Sequence, residues 1–126
     1  MIVRNDNLME LAGQYLRCLP YLKPAIELAG THDEMDVFSM LANKSAYLLA
    51  LNQSAGDLEI IEYPKYSACR IWLAGGDLEE LMQDYPKMEQ FAIANKCKKI
   101  EILGRKGWER MKKDFENKAI FLVKEL

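Results

Sequence analysis

Apolar residues recur at helical spacing over the first third of the chain, and this pattern predicts helices there. A first helix is expected to end at Pro20, and a short second helical piece is expected to close at Gly30. Thr31 and Glu34 have the spacing of a capping box, which predicts a helix over 32–43. The expected cap of the first helix and the inward-facing positions of the helices are Asp6, Leu8, Leu11, Ala12, Tyr15, Leu19, Met35, Phe38 and Leu41.

From Ala46 the spacing changes to short apolar runs separated by turn-forming residues. The runs are AYLLALN, LEIIEY and YSACRIWLA, with turns expected at 53–57 and 64–65. Short connections of this kind join antiparallel strands. The middle of the chain therefore predicts a three-stranded antiparallel meander.

A strand–helix–strand–helix unit follows, with a glycine hinge after each strand. Strand 66–74 runs through Gly75 and Gly76 into a helix over 77–95, and strand 98–103 runs through a second hinge at 104–107. A helical crossover makes its two strands parallel, so both hinges are expected at one carboxyl edge of the sheet, where open α/β sheets usually bind ligands. Pro86 is expected to kink the helix over 77–95. A last helix, with Trp108, Met111 and Phe115 facing inward, and a last strand AIFLVKEL complete the predicted elements.

This order predicts one α/β or α+β domain over residues 1–126, with helices flanking a mixed, mostly antiparallel sheet. The longest apolar run, AYLLAL, is far shorter than the ~20 residues that span a bilayer, and the start has no signal-peptide core. Three widely separated cysteines form neither a disulfide framework nor a metal knuckle. A reduced, cytosolic protein without a membrane partner is expected.

Positive charge is concentrated at the end of the chain. Residues 96–126 carry ten Lys/Arg and five Asp/Glu, whereas the whole chain has a net charge of −2. A basic patch of this kind suits phosphates or nucleic acid. No aromatic residues interleave with the lysines as a single-strand platform requires, so nucleic-acid binding is the least favoured interpretation.

The segments WLAGGDLEEL and IEILGRKGWERM, in this order of elements, resemble the GNAT superfamily of acyltransferases, and most of all small GNAT-like proteins of tailed bacteriophages and prophages. The resemblance implies a Gln/Arg-x-x-Gly-x-Gly/Ala loop that holds the pyrophosphate of acetyl-CoA at a helix N-terminus. The match is partial, because Leu73 replaces the first glycine when the motif starts at Arg70, and Asp77 replaces the last small residue when it starts at Trp72. The positions of this degenerate CoA loop are Leu73, Ala74, Gly75, Gly76 and Asp77.

The acidic start of the crossover helix argues against a bound pyrophosphate. Asp77 and Glu80 form an expected capping box, and with Glu79 they place up to three negative charges at the helix end. The general-acid tyrosine that the resemblance implies on the last helix is replaced at the best-fitting position by Lys112. No catalytic residue is therefore assigned.

Other candidate residues have structural alternatives. Arg105, Lys106 and Arg110 could contact an anion or a partner, since cations oppose the dipole of a helix N-terminus, but the first two could equally pair with the acids of the neighbouring hinge. The single histidine, His32, is expected on the surface, and Cys69 in the core. Without a second histidine or paired cysteines, no metal site is expected.

Two functional hypotheses of different classes follow. The first is a catalytically degenerate GNAT-like domain of phage or prophage origin, which binds a phage-assembly or host protein in the host cytoplasm or in the virion and needs no cofactor. The alternative is a small acetyl-CoA-dependent N-acetyltransferase with a divergent CoA loop. Homo-oligomer formation is left open by both.

Overall fold

The computed structural model describes residues 1–103 and 115–126, in which a four-stranded mixed sheet is covered by helices on both faces. The elements in chain order are α1 (Leu8–Ala29), α2 (Glu34–Ala42), β1 (Tyr47–Ala50), β2 (Ser54–Glu62), β3 (Ser67–Gly76), α3 (Leu78–Ala94) and β4 (Lys99–Ile102).

The strands lie in the order β1-β2-β3-β4, so each strand pairs with its neighbour in the sequence. The first two pairs are antiparallel, and β3 pairs with β4 in parallel across the α3 crossover. The N-terminal residues add to the outer side of β1, where Val3 N donates to Leu48 O at 2.8 Å. The predicted meander and the predicted parallel unit are both confirmed.

Two hydrophobic layers hold this sheet. One lies under α1 and α2, and the other lies under α3, whose buried residues are Leu81, Tyr85, Met88 and Ala92. Phe115 packs on the second layer, its ring centroid 5.9 Å from that of Tyr85. The predicted inward positions Trp108 and Met111 fall outside the described residues, as does the second hinge.

The prediction that Pro20 ends the first helix is wrong. Helix α1 is capped by Asn7 rather than Asp6 and continues through Pro20 and Pro24 to Gly30, whose φ of 67° closes it. Both prolines face solvent, so water can bond the carbonyl groups that lose an amide partner. The buried stripe continues along the opposite side through Leu11, Tyr15, Cys18, Leu22 and Ile26.

The predicted capping box of α2 is displaced by two residues. Asp33 caps the helix and Asp36 returns the bond to Asp33 N, whereas the Thr31 hydroxyl bonds His32 Nδ1 at 2.7 Å. Both boxes satisfy the same spacing rule, and the tertiary packing selects the one that buries Val37 and Leu41. Of the predicted inward positions Met35 is exposed, Phe38 is partly buried and Leu41 is fully buried.

Two predictions about strands are also wrong. The segment Ser54–Asp57, read as a turn, is the start of β2 and is fully buried, because it pairs with β1 on one side and β3 on the other. AIFLVKEL forms no strand: residues 116–126 are exposed and belong to neither helix nor sheet. An extended segment becomes a strand only when a neighbouring strand supplies its hydrogen bonds.

Candidate active site

The crossover strand β3 has a bulge at Trp72. Leu58 of β2 faces Ile71 and Asp57 faces Leu73, so Trp72 is the extra residue on β3. The bulge turns Trp72 and Leu73 toward the same layer, under α1 and α2, whereas Ile71 and the following Ala74 pack on the layer of α3. A bulge of this kind aims side chains away from the regular alternation of the strand.

Beyond the bulge, one edge of β3 is open as far as residues 1–103 and 115–126 are concerned. Strand β4 pairs with β3 only over Ala68–Ile71, and Leu103 N donates to Ile71 O at 3.3 Å. The five residues 72–76 then continue without a partner on that side among the described residues. The open edge lies at the carboxyl ends of two parallel strands, which is the usual ligand position in open α/β sheets.

Two side chains, His32 and Glu59, lie beside Trp72 at the bulge. The rings of His32 and Trp72 meet edge to face with their centroids 4.8 Å apart. Glu59, on the same face of the neighbouring strand β2, accepts no hydrogen bond from any described residue. Burial raises the pKa of Glu59, although the nearby Arg70 and His32 charges lower it in part. Glu59 is therefore a better proton acceptor than an ordinary exposed carboxylate.

Asp57 lies deeper on the same face of β2. It has no exposed surface, and neither of its carboxylate oxygens has a hydrogen-bond partner in the part of the chain that the structure describes. Burial, with a smaller contribution from Glu59, raises its pKa well above the usual range. Burial, with smaller contributions from Glu34 and Asp57, also raises the pKa of Tyr15 to about 12, and the Tyr15 hydroxyl donates to Glu34 O at 2.7 Å.

A shallow recess opens beside His32, between the end of α1 and the start of α2. Its volume is about 660 Å³. Four carboxylates line it against one lysine, whose ammonium lies 3.8 Å from Glu34. The charged lining residues besides His32 are Lys23, Glu27, Asp33, Glu34 and Asp36. The recess is net acidic and suits a cationic group.

The glycine hinge at the end of β3 is, by contrast, filled by the protein itself. A Cβ on Gly75 would overlap the carbonyl oxygen of Tyr21, and a Cβ on Gly76, with φ +94°, would overlap that of Gln53. Both glycines are thus required for close packing of backbone on backbone. The predicted N-cap is confirmed, since Asp77 Oδ1 accepts from Glu79 N at 3.0 Å and from Glu80 N at 3.3 Å.

The prediction that Glu80 forms a capping box with Asp77 is wrong. Its carboxylate does not return to Asp77, but accepts hydrogen bonds from Gln53 N and from the buried Ser54 hydroxyl. Asp77 N in turn donates to Gln53 O at 2.8 Å. The turn between β1 and β2 therefore occupies the position in which a capping box was expected.

Comparison with known proteins identifies the fold. The chain superposes on an aminoglycoside acetyltransferase from an uncultured soil metagenomic sample, solved in complex with sisomicin, with a TM-score of 0.66 and 13% identity over 100% of this chain and 94% of that one. For a GNAT family acetyltransferase of Staphylococcus aureus the TM-score is 0.60 and the identity 15%, over 100% of this chain and 96% of that one. For an acetyltransferase of Trypanosoma brucei the TM-score is 0.60 and the identity 10%, over 100% of this chain and 97% of that one. No family model and no curated protein sequence matches.

The chain has the GNAT acetyltransferase fold, as its order of elements predicted. Acetyl-CoA is the acyl donor that the sequence resemblance implies, and the described residues fit only part of that molecule. The open edge of β3 suits its extended, amide-bearing arm, because a strand edge offers backbone donors and acceptors. The start of α3 does not suit its pyrophosphate, since Asp77 already bonds two amides there and Glu79 adds a charge.

The remaining predicted site residues divide into three groups. Leu73 and Ala74 lie on the open stretch of β3, with Leu73 buried and Ala74 partly buried. Arg105, Lys106 and Arg110 lie outside the described residues. Cys69 is a core residue whose pKa burial raises to about 12, as expected for an unreactive thiol.

The described residues contain no group of His, Cys, Asp and Glu side chains suited to a metal ion. In the same parts of the chain, no helix is long and apolar enough to cross a bilayer.

His32 and Glu59 were not predicted to lie near each other. They are 27 positions apart in the chain, and His32, in the connection between α1 and α2, meets the bulge only because α1 packs on β3. A signal was available in LEIIEY, where an acidic residue alternates with apolar ones on the middle strand of the predicted meander. A carboxylate at such a position is a candidate for a site.

Proposed function

We propose that this protein is a small N-acyltransferase of the GNAT type that acts on a cationic amine. The observation that carries the proposal is the open edge of β3 at the carboxyl ends of the parallel pair, directly after the bulge at Trp72. An extended ligand with amide groups can bond such an edge as an added strand does. The fold neighbours favour this alternative over a catalytically degenerate domain.

The acyl donor supplies an activated thioester, and the residues of this chain would position and deprotonate the acceptor. The acidic recess beside His32 attracts an amine in its cationic form. The similar aminoglycoside acetyltransferase was solved with sisomicin, and an acceptor with several amino groups also suits this recess. The ring of Trp72 meets that of His32, which lines the recess, so Trp72 would lie near such a cation.

Glu59 is the proposed proton acceptor. An ammonium group must lose a proton before its nitrogen can attack a carbonyl carbon, and Glu59 is a partly buried carboxylate without a hydrogen-bond donor among the described residues. Its place beside His32 and the bulge puts it on the face from which the acceptor would approach. The rate of transfer should therefore rise with pH as Glu59 becomes ionised.

Donor binding can be tested with the separate halves of the cofactor. Acetyl-CoA and acetyl-pantetheine should bind with similar affinities in calorimetry, since the pyrophosphate finds no free amides at the start of α3. The nucleotide half alone should not bind. Failure of both acyl compounds to bind would disprove the proposal, whereas much tighter binding of acetyl-CoA would show that the hinge does hold phosphate.

Glu59→Gln should lower the rate of acyl transfer to a polyamine by roughly 10²–10⁴-fold, because general-base catalysis contributes about that much. Thiol release measures the rate. Glu62→Gln is the matched control, since Glu62 is an exposed carboxylate on the same strand but on the opposite face. Equal rates in both variants, with the protein still folded by circular dichroism, would remove Glu59 from the mechanism.

A second candidate function rests on a different observation. The start of α3 is satisfied by Asp77 and by the turn at Gln53, so the fold could have lost cofactor binding and act through its surfaces. A phage-assembly or host-interaction protein is the form of this candidate that the sequence resemblance suggests. Absence of binding by every acyl donor, in a protein that remains folded, would favour it.

A further inference from the structure

Helix α1 carries a second apolar stripe on its solvent side, opposite its buried stripe. The exposed fractions of Met9 and Leu16 are 87% and 67%, and Gly13 and Pro20 are exposed as well. The four residues follow one another at intervals of four, three and four positions, which is the spacing of the a and d positions of a coiled coil. A surface helix of a monomer normally has one apolar face, so the second stripe indicates a partner.

Gly13 is the least expected residue of this stripe. It lies in the second turn of α1, and glycine inside a helix is less favourable than alanine. No described atom outside the helix lies within 4 Å of the position that a Cβ of residue 13 would take. The fold of one molecule therefore gives no reason for a glycine here, whereas the close approach of a second helix does.

The stripe is complementary to a second copy of itself. Two antiparallel α1 helices can be placed so that Gly13 faces the partner's Leu16. The same register places Met9 opposite the partner's Pro20, and a two-fold axis repeats both contacts. Each large, exposed side chain then meets a small or flat residue, as a knob meets a hole. We infer that two copies of this chain form a dimer through an antiparallel pair of α1 helices.

The charges beside the stripe favour the antiparallel direction. Glu10 and Arg17 each directly follow an apolar residue of the stripe, so both lie on one flank of it. In an antiparallel pair this flank faces the same flank of the other helix, which brings Glu10 near the partner's Arg17. A parallel pair would place both charges opposite the other flank, where Ala12 and Leu19 carry no charge.

The expected contact is small. If six residues of each helix lose roughly 80 Å² each, the dimer buries about 1,000 Å² in total, which is the lower end of specific interfaces. We therefore expect a reversible dimer with a dissociation constant in the micromolar range. The contact ends at Pro20, whereas the acidic recess begins at Lys23, so the dimer leaves the recess accessible.

Sedimentation equilibrium of the full chain over a range of concentrations tests the dimer. Leu16→Lys should raise the dissociation constant by roughly 30-fold or more, as the loss of a central apolar contact does. Ile93→Lys is the matched control, because Ile93 is similarly exposed at 72% and lies near the end of α3. It should leave the dimer unchanged. A wild type that stays monomeric up to about 1 mM, or a dimer that survives Leu16→Lys, would overturn the inference.

Reversal of the two flanking charges tests the direction of the helices. Glu10→Arg alone and Arg17→Glu alone each place like charges opposite one another, and each should raise the dissociation constant by about threefold to tenfold. The double variant restores opposite charges and should return the dissociation constant to within about twofold of wild type. A double variant that stays folded by circular dichroism but does not recover the dimer would overturn the antiparallel pairing.

Discussion

Beyond its pairing with β4, strand β3 consists of the bulge at Trp72 and the hinge at Gly75 and Gly76. These two parts differ in what satisfies their polar groups. At the hinge, Gly75 and Gly76 lie against backbone carbonyls, and Asp77 bonds the first amides of α3. At the bulge, Trp72 and the neighbouring Glu59 lie beside the open edge of β3. The Glu59 carboxylate accepts no hydrogen bond from any described residue. The hinge at the start of α3 is therefore closed by the protein itself, whereas the edge at the bulge has no partner strand among the described residues.

This contrast shows that resemblance in topology does not require the same chemistry at every point of a site. A helix N-terminus binds an anion only when its amides are free. In this chain an aspartate and a turn take those amides, so the positive end of α3 stabilises the protein instead of a ligand. Glu59, beside the bulge, accepts no comparable hydrogen bond from the described residues.

The largest expected effect is at the closed hinge. Gly75→Ala should destabilise the protein by about 3 kcal/mol or more, because the new methyl group would overlap the backbone of Tyr21, which has no side-chain freedom with which to move away. Urea unfolding measures the change. Gly13→Ala is the control, since nothing lies near its Cβ and alanine is the better helix former by ~1 kcal/mol. If Gly75→Ala is as stable as the wild type, the hinge is not closed.

A smaller effect is expected beneath the open region, at Asp57. Its pKa is raised on folding, so the folded state binds the proton more tightly and the free energy of unfolding falls as pH rises from about 4 toward the folded-state pKa. Asp57→Asn cannot ionise and should remove this decline. The free energy of unfolding of Asp57→Asn minus that of wild type should therefore be greater at pH 8 than at pH 4. The expected increase is on the order of 1–3 kcal/mol.

Denaturation at the two pH values measures this difference. Asp36→Asn is a control, because Asp36 is an exposed aspartate in the first turn of α2, away from the buried strand that carries Asp57. A wild-type protein whose stability did not fall with pH over this range, or a variant that kept the same slope, would show that Asp57 is not held in its protonated form.

The smallest expected effect is a difference in stability between substitutions of two neighbouring glutamates of α3. Glu80→Ala should cost about 1–2 kcal/mol, because it leaves the Gln53 amide and the buried Ser54 hydroxyl without their acceptor. Glu79→Ala, one residue away and exposed, should change the free energy of unfolding by less than about 0.5 kcal/mol. Equal effects of the two substitutions in urea unfolding would mean that the turn at Gln53 does not depend on Glu80.

Local patterns in the sequence determined most of the fold. The change from helical spacing to short apolar runs placed the meander, and the length of the crossover made β3 and β4 parallel, as the structure confirms. The cap at Asp77 could also be predicted, because an aspartate placed directly before a helix bonds amides only two or three residues away. These features depend on neighbours in the chain, which a sequence displays directly.

Contacts between distant segments decided the rest. Helix α1 continues past Pro20 because its buried stripe packs on the sheet, and Ser54–Asp57 is a strand because two other strands pair with it. The same reason explains the site: His32 comes near Trp72 and Glu59 only after α1 packs on β2 and β3. Sequence patterns set local conformation through short-range hydrogen bonds and spacing, whereas burial and pairing between remote residues exist only once the chain has folded.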